Sequence, residues 1–332
     1  MKYVPALDGL RAVAVFAVLA LHASVPWARG GYLGVDVFFV LSGFLITRLL
    51  LEQGIDLKRF YLRRAMRLYP ALLLMLAAYF VIAPIVFPEY VKDPLGDVLV
   101  AGLYLQDYVR SLGGRVMLLG QVWSLAVEEH FYLLWPIALA LLLKHYTRTR
   151  AAGIMVCAFV VLLAWRMLWL AHGQTWTQVY VRFDTHATGL ALGCALGLYG
   201  TDRFPRWIGY AGVALLVVAA TQFPWRGADS LVQGITLAEI GSALLIAGIQ
   251  RPGLLSSALS FGWLPYLGRL SYGIYLWHYP IFVYLRERES YAYAMLVGSA
   301  LTVALAAFSY HTVEAYVRHW KRREPAPVTA LS

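Results

Sequence analysis

The stretch "ALLLMLAAYFVIAPIVF", residues 71–87, contains no charged residue, and runs of similar character recur along the chain, as in "FYLLWPIALALLLK" at 131–144. At 1.5 Å rise per residue, a helix of about 20 such residues matches the ~30 Å hydrocarbon core of a bilayer, a length that the interior of a soluble domain does not need. Composition agrees: 61% of residues are hydrophobic and 14% charged, against roughly 45–50% and about 25% in soluble domains. Unpaired backbone groups are so costly in lipid that only helices and closed barrels span it, and no run shows the polar–apolar alternation of a barrel strand. The sequence therefore predicts an all-α polytopic membrane protein, a bundle of about ten transmembrane helices.

Spans are expected near 4–25, 33–51, 68–87, 122–143, 151–171, 183–200, 207–223, 231–249, 266–285 and 291–313. With the N-terminus in the cytoplasm, the inner loops and ends hold 17 Lys and Arg residues and the outer loops eight. Cations accumulate on the cytoplasmic side of membrane proteins, so both termini are expected inside, ending in a short basic tail over about 314–332. The net charge of +10 is thereby accounted for by topology, and no nucleic-acid partner is expected. Residues 88–121 hold an apolar piece too short to span, read as an outer loop with an interfacial or re-entrant segment that faces an acceptor. Gly189, Gly193 and Gly197, four apart, are expected to serve close helix packing. Cys157 and Cys194 lie in apolar runs, so neither a disulfide framework nor a metal site is indicated. A cleaved signal peptide is disfavoured for residues 1–25, because Asp8 and Arg11 interrupt the apolar stretch.

Ionisable side chains in a membrane segment cost about 3 kcal/mol at its centre, which makes each a candidate for function. In "DGLRAVAVFAVLALHAS", Arg11 and His22 are eleven residues apart, about three helical turns, so they share a face at a separation of ~16 Å. Arg64 and Arg67, at i and i+3 before the third span, can grip a phosphate in a way lysines cannot. Glu128 and Glu129 enter the fourth span from the outer end; adjacent residues point about 100° apart, so only one is expected to face a site squarely. His278 falls in the outer half of the ninth span. Asp36, Asp184 and His186 are assigned helix-end or structural hydrogen bonds. Arginines inside with His and carboxylates outside suit a transfer from a cytosolic anionic donor to an outer acceptor. His22 would act as general base or transient acyl carrier, with a carboxylate such as Glu128 orienting it. A transporter or flippase of lipid-linked glycan is the alternative, and a non-catalytic scaffold a further one.

The segments "LDGLRAVAVFAVLALHA", "GVDVFFVLSGFLITRLLL", "FYLRRAMRLYPALLL", "VWSLAVEEHFYLLWP", "RFDTHATGLALG" and "LGRLSYGIYLWHYPI", in this order over about residues 3–315, resemble the acyltransferase-3 family of integral membrane acyltransferases. That family includes O-antigen and peptidoglycan O-acetyltransferases. The resemblance implies one transmembrane acyltransferase domain over 1–332 in the bacterial inner membrane. Its donor would be acyl-CoA, commonly acetyl-CoA, its acceptor the hydroxyl of an extracytoplasmic glycan or similar molecule, and it would need no bound cofactor or metal. It makes His22 essential for transfer, with Glu128 and Glu129 in the catalytic segment. Arg11, Arg64 and Arg67 would serve donor binding or site architecture, and Trp123, Ser271, Tyr272 and His278 would be substrate contacts. Membrane lipid is a partner, and a homo-oligomer stays open. His130 stands where Gln is more usual, and Glu314 lacks the proline that often follows it. Some relatives carry a fused SGNH-type domain absent from this sequence, so transfer is expected to be completed alone or with a separate partner.

Overall fold

The computed structural model describes residues 3–114, 118–227 and 229–321, all helix and connecting turns with no strand among them. Lys2, Arg115 and the basic tail beyond residue 321 lie outside the described residues. The helices are α1 (Pro5–His22), α2 (Gly34–Gln53), α3 (Leu57–Val86), α4 (Pro94–Gly102), α5 (Gln106–Ser111), α6 (Val122–His145), α7 (Arg148–Ala171), α8 (Trp176–Val181), α9 (Phe183–His186) and α10 (Thr188–Tyr199). After them come α11 (Ile208–Gln222), α12 (Ile235–Ile249), α13 (Leu254–Leu259), α14 (Leu264–Arg286), α15 (Tyr291–His311) and α16 (Val313–Lys321).

Seven of these helices, α1, α2, α3, α6, α7, α12 and α15, are long and apolar enough to cross a membrane. Of the remaining expected spans, α14 has the length but carries the polar residues of the site, while α10 and α11 are apolar but short, at 12 and 15 residues. The chain is thus an all-α multi-pass membrane protein.

Two sequence expectations are corrected in detail. The third span, expected to start near residue 68, starts earlier: Asp56 caps α3 by accepting from the Arg59 backbone N–H at 3.0 Å, and the helix runs unbroken from Leu57 through the basic stretch. The sixth span, expected continuous over 183–200, breaks at Ala187 between α9 and α10. A polar side chain supplies the physical reason: Arg166 on α7 donates Nε to the Thr185 carbonyl and Nη2 to the Thr188 hydroxyl, serving the backbone that the break exposes. The described residues of 88–121 include α4 and α5 and no helix long enough to span, as expected.

Close backbone approach positions the site-bearing helices. A Cβ on Gly268 of α14 would come within 1.8 Å of the Asp8 carbonyl oxygen on α1, so these two helices meet main chain to main chain near their N-terminal ends. A Cβ on Gly193 of α10 would lie 2.2 Å from the Val40 carbonyl oxygen, and one on Gly43 of α2 would lie 2.2 Å from that of Leu190. Small residues take this role in lipid because dispersion between closely packed helices, rather than exclusion of water, holds them together. The result is a cluster of α1, α2, α10, α12 and α14, with α3 and α6 closing its open side.

Candidate active site

His22 ends α1 and meets α14 at the end of the bundle opposite the basic N-terminal turns of α3. Its Nδ1 lies 3.2 Å from Nε2 of His278, which is fully buried, and His278 Nδ1 lies 2.7 Å from the Tyr275 carbonyl oxygen. A carbonyl only accepts, so His278 Nδ1 carries a proton and donates it there. With His278 neutral, its Nε2 holds a lone pair and accepts from His22 Nδ1–H. The chain of bonds leaves His22 Nε2 unprotonated, the state a general base requires. Pro280 on α14 has no N–H for the Leu276 carbonyl four residues earlier, and Gln121 Nε2 donates to that carbonyl at 3.0 Å. The proline thus ties the start of α6 to the histidine helix.

The carboxylates are placed differently from the sequence expectation. Glu128 does not reach His22: its Oε1 accepts from Ser42 Oγ at 2.7 Å and its Oε2 from the Tyr132 hydroxyl at 3.1 Å. Arg64 in turn stacks over the Tyr132 ring, its guanidinium carbon 3.6 Å from the ring centroid. Glu129 points elsewhere and lines none of the cavities around these residues. One carboxylate of the adjacent pair therefore faces the site, as the 100° offset predicts, but it is tied to α2 and Arg64 rather than to the histidine.

Three cavities lie in sequence through the bundle. The first, of about 280 Å³, holds Arg11, Arg64 and Arg67 together with Arg59 and Arg63. The second, of about 50 Å³, is lined by Arg11, Glu128, Ser271, Tyr272 and Tyr275. The third, of about 70 Å³, holds His22, Trp123 and Tyr275 at the far end. Arg11 borders the first and second, and Tyr275 the second and third, so the sites are continuous in lining. Nε of Arg11 and of Arg64 are buried with no hydrogen-bond partner among the described residues. An unpartnered buried guanidinium nitrogen is expensive, and an anion supplies what it lacks.

Ser42, Tyr132 and Tyr275 belong to this path and have no sequence signal beyond lying in the matching segments. Arg166 and Glu239 do have one, an ionisable side chain inside an apolar run, which is the reason for singling out Arg11. Both are buried, 3.9 Å apart at Arg166 Nη2 and Glu239 Oε1, with Thr188 Oγ1 donating to Glu239 at 2.5 Å. Beside them His186 Nε2 lies 2.8 Å from Asp36 Oδ1. Asp184 accepts from Arg182 and Trp165, so the structural role expected for these residues matches their bonds. His130, the departure from Gln, faces buried Asp107 of α5 at 3.3 Å.

The acyltransferase-3 family model, described as an acyltransferase domain, matches residues 4–311. The chain is 34% identical to the peptidoglycan O-acetyltransferase OatA of Listeria monocytogenes over 96% of its length and 56% of the relative's. It is 32% identical to the putative peptidoglycan O-acetyltransferase YrhL of Bacillus subtilis, covering 96% of this chain and 55% of that protein. It is also 32% identical to the O-acetyltransferase OatA of Staphylococcus aureus, covering 96% and 57%. The chain thus spans little more than half the length of these curated relatives. No solved structure matches it. The ordered motifs, the membrane helices that carry them and a family match over nearly the whole chain place this protein in the acyltransferase-3 family.

Proposed function

We propose that the protein transfers an acetyl group from cytoplasmic acetyl-CoA to a hydroxyl of an extracytoplasmic glycan, with peptidoglycan the acceptor that the relatives' names suggest. The observation that carries this reading is the path of linked cavities, arginine-lined at one end and holding His22 at the other. Arg11, Arg64 and Arg67 bind the donor's phosphates in the 280 Å³ cavity, which sits at the end made basic by the N-terminal turns of α3 and is therefore assigned to the cytoplasm. The neck, of about 50 Å³, is too small to hold a nucleotide, so the thioester arm is assigned to it, past Glu128 and Ser271. Both termini lie on the cytoplasmic side in this orientation.

At the far end, His22 Nε2 takes the proton of the acceptor hydroxyl as its oxygen attacks the thioester carbonyl carbon. The carbon–sulfur bond then breaks, the thiolate leaves, and the imidazolium returns the proton to sulfur, so the ester and free thiol form with no net proton change. His278 holds His22 in the tautomer that makes this possible. General-base catalysis contributes typically 10²–10⁴-fold, so His22→Ala is expected to lose roughly that factor. The test is acetyl transfer in proteoliposomes with radiolabelled acetyl-CoA on one side and glycan fragments on the other. Undiminished transfer by His22→Ala overturns the assignment of the base. Glycan transport without transfer by the wild-type protein overturns the function.

A further inference from the structure

We infer that an apolar groove between α7, α10 and α12 binds an acyl chain of an anionic phospholipid, whose headgroup is held by Arg203 and the first turn of α7. The inference goes beyond the transfer reaction and does not depend on it. At one end α7 is tied to α12 and the turn before it by Arg166, which donates to the Leu231 carbonyl at 2.9 Å and stands 3.9 Å from Glu239. Toward the start of α7 the protein leaves a cavity of about 400 Å³, lined by residues within 149–156 of α7, 192–199 of α10 and 240–247 of α12, together with Phe204. Each helix contributes positions i, i+3, i+4 and i+7, which is one face over a length of ~10 Å. Gly153 and Val156 are exposed, so the groove opens sideways from the bundle.

Gly153 points to an occupant from outside the chain. Glycine inside a helix is destabilising, and close packing or a positive φ is what normally justifies it. Every other glycine of the chain either has a positive φ or would bring an added Cβ within 4 Å of a neighbouring atom; Gly153 does neither. A lipid tail lying against α7 uses the space that no helix of the chain fills. Charge selects the headgroup. Thr149 and Tyr199, the two polar residues of the lining, are at the same end of the groove, and Arg203 stacks there on Tyr199 with its guanidinium carbon 4.8 Å from the ring centroid. The loops at that end, 144–150 and 200–207, carry Lys144, Arg148, Arg150, Arg203 and Arg206 against one carboxylate, Asp202, and the first turn of α7 adds the positive end of its dipole. Basic pockets between membrane helices attract anionic headgroups, whereas a zwitterionic lipid brings its own cation to the same place. A second copy of the chain, inserted in the same orientation, would set its own basic end against this one.

The test uses the full chain in phosphatidylcholine nanodiscs with a trace of one of two photoreactive probes, phosphatidylglycerol or phosphatidylcholine carrying a diazirine in one acyl chain. Labelled residues are mapped by mass spectrometry. The phosphatidylglycerol probe should label 149–156, 192–199 and 240–247 in preference to the choline probe, by roughly 5-fold for each cation that meets the headgroup. Arg203→Gln should lower that preference about 5-fold, and Arg203→Lys should keep most of it. Gly153→Leu fills the groove from a position where the Cβ meets no neighbouring atom within 4 Å. It should remove labelling of the three segments and leave labelling of the rest of the chain unchanged, which also reports that the variant is folded. Equal labelling of the segments by the two probes, or wild-type labelling in Gly153→Leu, overturns the inference. A dimer seen by native mass spectrometry, with the three segments labelled by neither probe, overturns it in favour of a second copy of the chain.

Discussion

Replacing His278 with alanine tests the bond that sets the state of His22. In the wild-type protein the Tyr275 carbonyl accepts from His278 Nδ1 at 2.7 Å, and His278 Nε2 stands 3.2 Å from His22 Nδ1. Alanine removes the acceptor, so the His22 ring is free to rotate and to place its proton on the nitrogen that acts as base in the proposed reaction. Losing an orienting partner of a functional histidine costs about 10–100-fold, and using the wrong tautomer costs more. A kcat reduced about 100-fold is therefore expected, equivalent to ~2.7 kcal/mol of transition-state stabilisation. KM for both substrates should change little, because His278 lines none of the three cavities.

Glutamine at position 278 supplies the control for folding. Its side-chain carbonyl reaches about where Nε2 stands and can accept from His22 Nδ1–H, so His278→Gln should recover part of the lost kcat. In a His22→Ala background, His278→Ala should cost almost nothing further, since the two groups act as a unit. Initial rates of acetyl transfer in proteoliposomes measure all four variants. Wild-type kcat in His278→Ala, or additive losses in the double variant, would refute the orienting role.

Two further perturbations probe stability. Arg166→Met leaves Glu239 buried beside Thr188 without its cation, and also strands the Thr185 and Leu231 carbonyls that the guanidinium serves. Breaking a buried pair in this way should cost about 3–5 kcal/mol, and Arg166→Met/Glu239→Leu should recover part of it; thermal unfolding in detergent reads the difference, and a double variant no better than the single would count against the pairing. Asp97 of α4 accepts from the Tyr79 hydroxyl at 2.5 Å, and its pKa is raised mainly by burial, with Asp93 adding to the shift against the lowering effect of the Tyr79 bond. A raised folded-state pKa means the carboxyl favours folding below its unfolded value of about 3.9 and loses that contribution as pH rises through the folded value. Asp97→Asn keeps an acceptor for Tyr79 without the charge, so its Tm should exceed wild type at pH 7 and converge with it below about pH 4. A Tm difference independent of pH would refute this assignment.

The membrane bundle was legible because lipid imposes its length and polarity on every spanning segment, and the Gly189–Gly193–Gly197 row was legible because close helix packing in lipid needs small residues. Faces were legible too: Arg11 and His22 lie on one path, and only Glu128 of its adjacent pair faces a cavity. Partners were not. Helical periodicity says which side of its own axis a residue occupies and nothing about which helix lies there. The carboxylate expected beside His22 does not reach it: α14 packs along α1, and His278, not the α6 carboxylate, stands against the His22 ring. Glu128 is drawn instead to the Ser42 and Tyr132 hydroxyls near Arg64, toward the basic end. That division has a chemical consequence. A carboxylate against His22 would stabilise the imidazolium, whereas a neutral histidine fixes the tautomer but adds little to basicity. In the proposed reaction the base would then work with the modest strength of an uncharged pair, which suits a thioester, an already activated acyl donor. In the proposed reaction the guanidiniums of Arg64 and Arg67 hold the donor, and Glu128 beside the neck sets the position of Arg64 by way of the Tyr132 ring.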